Sequence, residues 1–281
     1  LMQDIVARQQ SSKILARSQK AVAAAAVSQI SMQEVAASQT AMQEVAASQT
    51  AMQEVAVSQT AMQEMINVQS AMQELAGSST AMQEVATSQT AMQEVAGSSI
   101  AMQEVAASQT AMDSCIVSAT AMQEIRADTT ADSLFHLSDN YTNALAVKAS
   151  ISLSTTGGMD NVVASSGDMS TIAASQTAMQ QVATSQTAMQ EVASSQTAME
   201  VVGSSSAARN AISGSGTAKS ELNNASSSFS ASFQKNENTT VRVTIPSTDE
   251  SYYVWIKDAN YTGYDGAGGL SVNNIGWYSD N

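Results

Sequence analysis

Few residues in this chain could carry chemistry. Among 281 residues there is one His (His136) and one Cys (Cys115). That excludes an intrachain disulfide and a Cys/His zinc site, and a His-dependent triad would have to use His136. Read on its own, His136 is a structural or exposed residue. Cys115 stands where neighbouring repeats carry Val, so it reads as a small buried apolar residue with no base beside it. A Met recurs every ten residues and could suggest soft-metal ligands, but its spacing is that of a buried helical stripe. A Glu column two residues further on reads as a solvated face rather than a cation site. Asp258 and Asp265, set among glycines, lack the spacing of an EF-hand loop. Asn140, Asn238 and Asn260 open Asn-x-Thr sequons, which matter only in a eukaryotic secretory pathway. No nucleophile, base and orienting group stand together, so neither an enzyme nor a bound cofactor or metal is expected. The best binding candidates are aromatic: Trp255, Tyr261, Tyr264 and Trp277, whose rings could stack on sugars or anchor an interface. The competing reading makes them the core of a small β unit, with Tyr261 and Tyr264 in a loop and the most exposed.

Those candidates need elements to hold them, and composition limits the choice. Charged residues are 13% of the chain, about half the usual share, and aromatics are 4%. No aromatic precedes Phe135, so the first half cannot build an ordinary globular core. The net charge is −14, and no Lys or Arg lies between Ala21 and Ile125. Such a surface repels a nucleic acid backbone. No apolar run approaches the roughly 20 residues of a membrane span. The chain starts at Leu1 with no basic-plus-apolar leader, which suggests a fragment or processed piece.

The dominant signal is an internal repeat of ten residues, Ala-Met-Gln-Glu-Val-Ala-Ala-Ser-Gln-Thr, as at 41–50. With Ala as position 1, sixteen of the 17 Met residues sit at position 2. Position 5 is Val, Leu, Ile or Met in most copies, and Cys at Cys115. A first array covers residues 1–130, with degenerate copies back to Met2 and Ile5. A second, shifted by a heptad, covers 158–227. Ala, Met, Gln and Glu favour helix. At 100° per residue, positions 2, 5, 6 and 9 share one face, so Gln at position 9 is expected in polar layers. The apolar spacing 3-4-3 is a heptad plus a stammer, which overwinds a coiled coil. Thr40-Ala41-Met42-Gln43 also has the form of a capping box, with Thr as the cap. Two architectures therefore compete. One is a continuous helix in an oligomeric coiled coil, about 195 Å long over the first array at about 1.5 Å per residue. The other is a single-chain solenoid of short helices broken near Ser-Gln-Thr. Scarcity of Gly, the usual helix stop, weighs against the second.

Decads of this type, with Ser78-Ser79-Thr80-Ala81-Met82 and Ser98-Ser99-Ile100-Ala101-Met102 as close variants, resemble the low-complexity shafts of phage tail fibre proteins. The resemblance covers the two arrays. It implies a virion appendage, extracellular and usually homotrimeric, bound to other tail or capsid proteins and reaching toward a host glycan or protein. It carries over no catalytic residue.

Between the arrays, 131–157 reads as an irregular joint. Residues 228–235 form a Ser-rich linker, and 236–281 a small β-rich unit with strands near Thr240–Ile245 and Tyr252–Ile256. The expected whole is mainly α: a decad-repeat fibre shaft, as a homotrimeric parallel coiled coil or a solenoid, with a C-terminal β unit. Its expected function is that of a structural spacer in a virion fibre. A cell-surface adhesin stalk with a glycan-binding C-terminal unit is the alternative.

Overall fold

The computed structural model describes residues 19–225 and six short segments within 232–279. The degenerate copies at Met2 and Ile5, and Asp258, Asp265 and Tyr264, lie outside the described residues. The chain divides into two units, Leu1–Lys148 and Ala149–Asn281.

In the first unit the helix is not continuous. It ends and restarts once per decad, as in Gln29–Ala36, Gln39–Ala46, Gln49–Ala56, Gln59–Ile66 and Gln69–Gly77. Each of these breaks contains one extended residue, preceded in most by a single αR residue. Ser78, at φ −103 and ψ 115, closes the helix Gln69–Gly77 and caps the helix Ser79–Thr87. An extended residue has negative φ, so no glycine is needed at the corner. That removes the objection drawn from the scarcity of Gly. It also corrects the expected coiled-coil seam, because among the described residues no helix in either array runs past ten residues.

The cap differs from the expected one as well. Ser at position 8 is the N-cap, and the Thr of Thr-x-x-Gln lies inside the helix. Ser38 Oγ accepts from the backbone N–H of Ala41 at 3.3 Å, and Ser98 Oγ does the same from Ala101. The same hydroxyl can donate outward. Ser78 Oγ donates to the carbonyl of Ala46 at 2.6 Å, and Ser138 Oγ to that of Ala106 at 2.6 Å. Ser58, Ser88, Ser108 and Ser118 make the equivalent bond. One side chain thus satisfies an orphan N–H at its own helix start and an orphan C=O at a helix end 32 residues earlier.

These bonds accompany a stacking rule. Each helix packs on the third helix along: Gln39–Ala46 on Gln69–Gly77, Gln49–Ala56 on Ser79–Thr87, Gln59–Ile66 on Gln89–Ala96. The unit is therefore a solenoid with three helices, or 30 residues, per coil. Residues 30 apart fall in one column. The second unit stacks the same way: Ser166–Ala174 on Gln196–Ser204, Gln176–Ala183 on Ser206–Gly214, Gln186–Ser194 on Gly216–Ala225.

The core is filled by positions 1, 2, 5 and 6. Ala81, Met82, Val85 and Ala86 are all buried, as are their equivalents in neighbouring decads. Position 9 is not in it. Gln39 is exposed and its Nε2 donates to Glu74 Oε1 at 2.9 Å, where Gln43 also donates at 3.1 Å. Glu84 and Glu94 are bridged the same way. The expected buried Gln layer is instead a surface ladder between coils. Helical phase is reset at each Ser, so a stripe drawn at 100° through the corner ends up on the wrong face.

Residues 131–157 were expected to be an irregular joint. Within them the chain is helical at Thr129–His136 and Tyr141–Ala149, and non-helical from Ser150 to Gly158. Beyond Ala225 the described backbone consists of β1 (Ser232–Lys235), β2 (Val241–Thr244), β3 (Tyr253–Trp255), β4 (Asn260–Thr262), β5 (Gly269–Ser271) and β6 (Trp277–Ser279). They pair antiparallel as β1–β2, β3–β6 and β4–β5.

Candidate functional site

The residues singled out for chemistry fall in different places. The Met column is core: Met32 through Met122 at position 2 are all buried. The Glu column is a surface face held by Gln side chains. Cys115 is fully buried, and burial pushes its thiol up to about 12, so it is inert as a nucleophile. Of the aromatics, Trp255 and Trp277 are register partners in the β3–β6 pair, and Tyr261 pairs with Leu270 in β4–β5.

His136 is fully buried and belongs to a group that inspection of single residues missed. The decad register runs on through the last coil of the first unit, but its core positions change. Arg126 takes position 6, where Ala is usual. Asp132 and Thr142 take position 2 in place of Met, and His136 takes position 6. Asp132, His136, Tyr141 and Thr142 are all at most 1% exposed. The signal was available: adding ten to Met122 gives Asp132, and ten more gives Thr142.

Helix geometry positions the group. Asp132 and His136 are four apart on Thr129–His136, which is started by Asp128 Oδ1 accepting from the N–H groups of Thr130 and Ala131. His136 Nδ1 lies 2.9 Å from the Asp132 carbonyl oxygen and 3.1 Å from its Oδ1. A carbonyl only accepts, so Nδ1 carries the proton. The imidazole packs against Tyr141, ring centroids 4.8 Å apart, and edge-on to Phe135 at 5.3 Å. Burial lowers the proton affinity of the Arg126 guanidinium, which Tyr141 and Asp132 partly oppose. Burial likewise pushes the Tyr141 phenol upward. Solvent-borne substrate cannot reach side chains this deeply covered. The arrangement suits a polar core rather than a reaction.

A second polar feature lies at the start of the second unit. Asp168, 4% exposed, occupies a position 1 where Ala is usual. Its Oδ1 accepts from Ser154 N at 2.8 Å, and its Oδ2 from Thr155 N at 2.8 Å. The Ser154 hydroxyl donates to the same carboxylate. Burial alone would raise the Asp168 pKa, but these bonds outweigh it and hold the carboxyl at about 2. The non-helical segment is thereby tied across the first helices of its unit. Gly157 allows the path at φ +118, where an added Cβ would run into the Asn161 side-chain amide.

Among the described residues, no group of three or more His, Cys, Asp or Glu could hold a metal ion, and no helix is long and apolar enough to cross a membrane. No known family model matches the chain, and no curated protein is significantly similar to it.

Proposed function

We propose that the chain is a structural spacer of a virion fibre or similar extracellular appendage, connecting or presenting its C-terminal segment for host attachment. The observation that carries this reading is the repeated packing of each helix on the third one along, within a single chain. In such a stack, length is set by the number of repeats, and each coil needs neighbours rather than a globular core. The resemblance of the decads to phage fibre shafts supplies the setting. The antiparallel pairs β3–β6 and β4–β5 support reading 236–281 as a small β-rich element. Association of copies, as a homotrimer of solenoids rather than of coiled strands, and contact with other tail or capsid proteins belong to the same proposal. The role is mechanical and needs no catalytic group.

The spacer reading is tested by inserting one further coil, a second copy of residues 61–90, into the full chain. Small-angle X-ray scattering should show the longest dimension growing by about 8–10 Å, one helix-to-helix distance. A continuous helix would grow by about 45 Å, at about 1.5 Å per residue. No growth, or growth of that larger size, overturns the proposal. Antibodies raised to the full chain should label particle appendages. Label on cell envelopes only would replace the virion by an adhesin stalk.

A further inference from the structure

The three corners of the first unit's solenoid are not alike, although its decads nearly are. Position 7 is the last residue before each corner residue, except at Val147, which holds that register position within helix Tyr141–Ala149. In one column, 30 residues apart, it reads Val27, Val57, Thr87, Val117 and Val147. The second column reads Ala37, Asn67, Gly97 and Ala127, and the third Ala47, Gly77, Ala107 and Leu137. The four valines are 77%, 69%, 54% and 58% exposed. Ile30, 73% exposed, extends the same corner. Core packing does not account for side chains this open, and among the described residues the other two columns each carry a single, less exposed one, Ile100 at 46% beside the second and Leu137 at 36% in the third.

We propose that this β-branched edge is the surface through which a second copy of the chain docks. Two observations select that occupant. The ridge repeats once per coil along the first unit, so only a surface with the same rise meets it along its whole length. Another copy has that rise by construction. The edge is also where two chains of charge −14 repel least. Position 4, one helical turn before position 7, is acidic beside the ridge only at Glu54 and Glu84. In the second column it is Glu at 34, 64, 94 and 124, and in the third at 44, 74 and 104. A few valines cover less than the about 800 Å² per partner of a standard interface, so the association is concentration-dependent.

This inference rests on the self-association in the proposed spacer, and the experiment separates the two. Sedimentation of the full chain over a concentration series should show mass rising from 29.1 kDa to a multiple of it. The pair Val57→Glu and Val117→Glu should weaken association by about tenfold or more. The matched pair Ala47→Glu and Ala107→Glu, at exposed positions of another corner, should change it little. Two deletions give a second reading without new charge. Removing residues 61–90 takes out one coil and keeps all four valines in one column, so association should persist. Removing 61–70 shifts Val117 and Val147 to a different corner and should weaken it. Equal effects of the two Glu pairs, or of the two deletions, overturn the edge while leaving self-association standing. A monomer at every concentration overturns both, and leaves the spacer to the scattering test.

Discussion

The regular coils between Gln39 and Ser118 and the last coil of the first unit share one backbone scheme but are filled by opposite chemistry. In the regular coils the interior is mainly Met, Val and Ala, with no charged or hydrogen-bonding polar side chain other than the Cys115 thiol at positions 1, 2, 5 or 6. In the last coil the same positions hold Arg126, Asp132, His136 and Thr142, and helix Thr129–His136 forms and packs on Ser99–Ala107 nonetheless. The corner that opens helix Thr129–His136 keeps the regular backbone: Asp128 at φ −109 and ψ 120 matches Ser108 at φ −108 and ψ 115, whereas the next break, Leu137 to Asn140, is longer. The comparison teaches that the corner sets the architecture and that the interior is a filling it accepts. A polar filling is costlier, because each buried charge depends on its partners.

The largest effect should come from breaking that polar filling one group at a time. Asp132→Ala leaves the His136 imidazole and the partly covered Arg126 guanidinium without their carboxylate. It should cost about 3 kcal/mol, the low end for a broken buried pair because Arg126 is only half buried. Replacing the set together, as Arg126→Ala, Asp132→Met and His136→Ala, installs the decad's own residues. That triple variant should unfold in urea within about 1 kcal/mol of the native chain. If it is as unstable as Asp132→Ala, the last coil has a backbone of its own and the comparison fails.

A second contrast uses pH, because the regular coils of the first unit bury no carboxylate and the start of the second unit does. Asp168 sits at about 2 when folded against 3.8 for a free Asp. The folded value is the lower, so its stabilisation is present in full above about pH 4 and is lost as pH falls through about 2. The difference amounts to about 2 kcal/mol. Asp168→Asn should remove that part of the acid dependence and lower neutral-pH stability by a similar amount. Hydrogen exchange around Ser154 and Thr155, measured between pH 5 and 2.5, reports it locally. An unchanged profile in the variant would mean that the clamp carries no stability.

Much of this was legible in the residues, and the errors have identifiable causes. Helical decads, the Met and Val columns and the buried Cys115 follow from spacing alone. The Gln layer was misplaced because a stripe at 100° per residue assumes one helix, whereas the phase restarts at every Ser. The cap was read two residues late because Ser-Gln-Thr offers two capping side chains. Only Ser at position 8 also reaches the carbonyl of the coil below. The 30-residue coil leaves no mark on identical decads, since contacts at ten, twenty or thirty residues look alike. It shows only in the exceptions, and Val27, Val57, Val117 and Val147 hold that period openly. The decad spacing persists faintly at Phe135 and Leu145, but the polar residues at the other core positions, Asp132, His136 and Thr142, hide the register that buries them.

The smallest effect isolates the corner, and the chain already contains half of the experiment. At Val68 the corner has lost its hydroxyl, yet the residue keeps φ −115 and ψ 105 with no side-chain cap. The extended conformation therefore does not depend on the Ser side chain. The hydroxyl adds energy to a bend that packing of the coils already imposes. Two bonds are at stake at each Ser, one to its own helix and one to the coil below. Ser78→Ala removes both and should cost about 1–2 kcal/mol, a cap plus one net hydrogen bond. Val68→Ser supplies a cap and should gain about 1 kcal/mol, somewhat more if its hydroxyl also reaches the Ala36 carbonyl. Both are read from urea midpoints at unchanged slope. In the double variant the two changes, ten residues apart on neighbouring corners, should add within about 0.5 kcal/mol. A loss well above 2 kcal/mol for Ser78→Ala would mean that the hydroxyl makes the bend instead of reinforcing it, and Val68 would then be the corner in need of explanation.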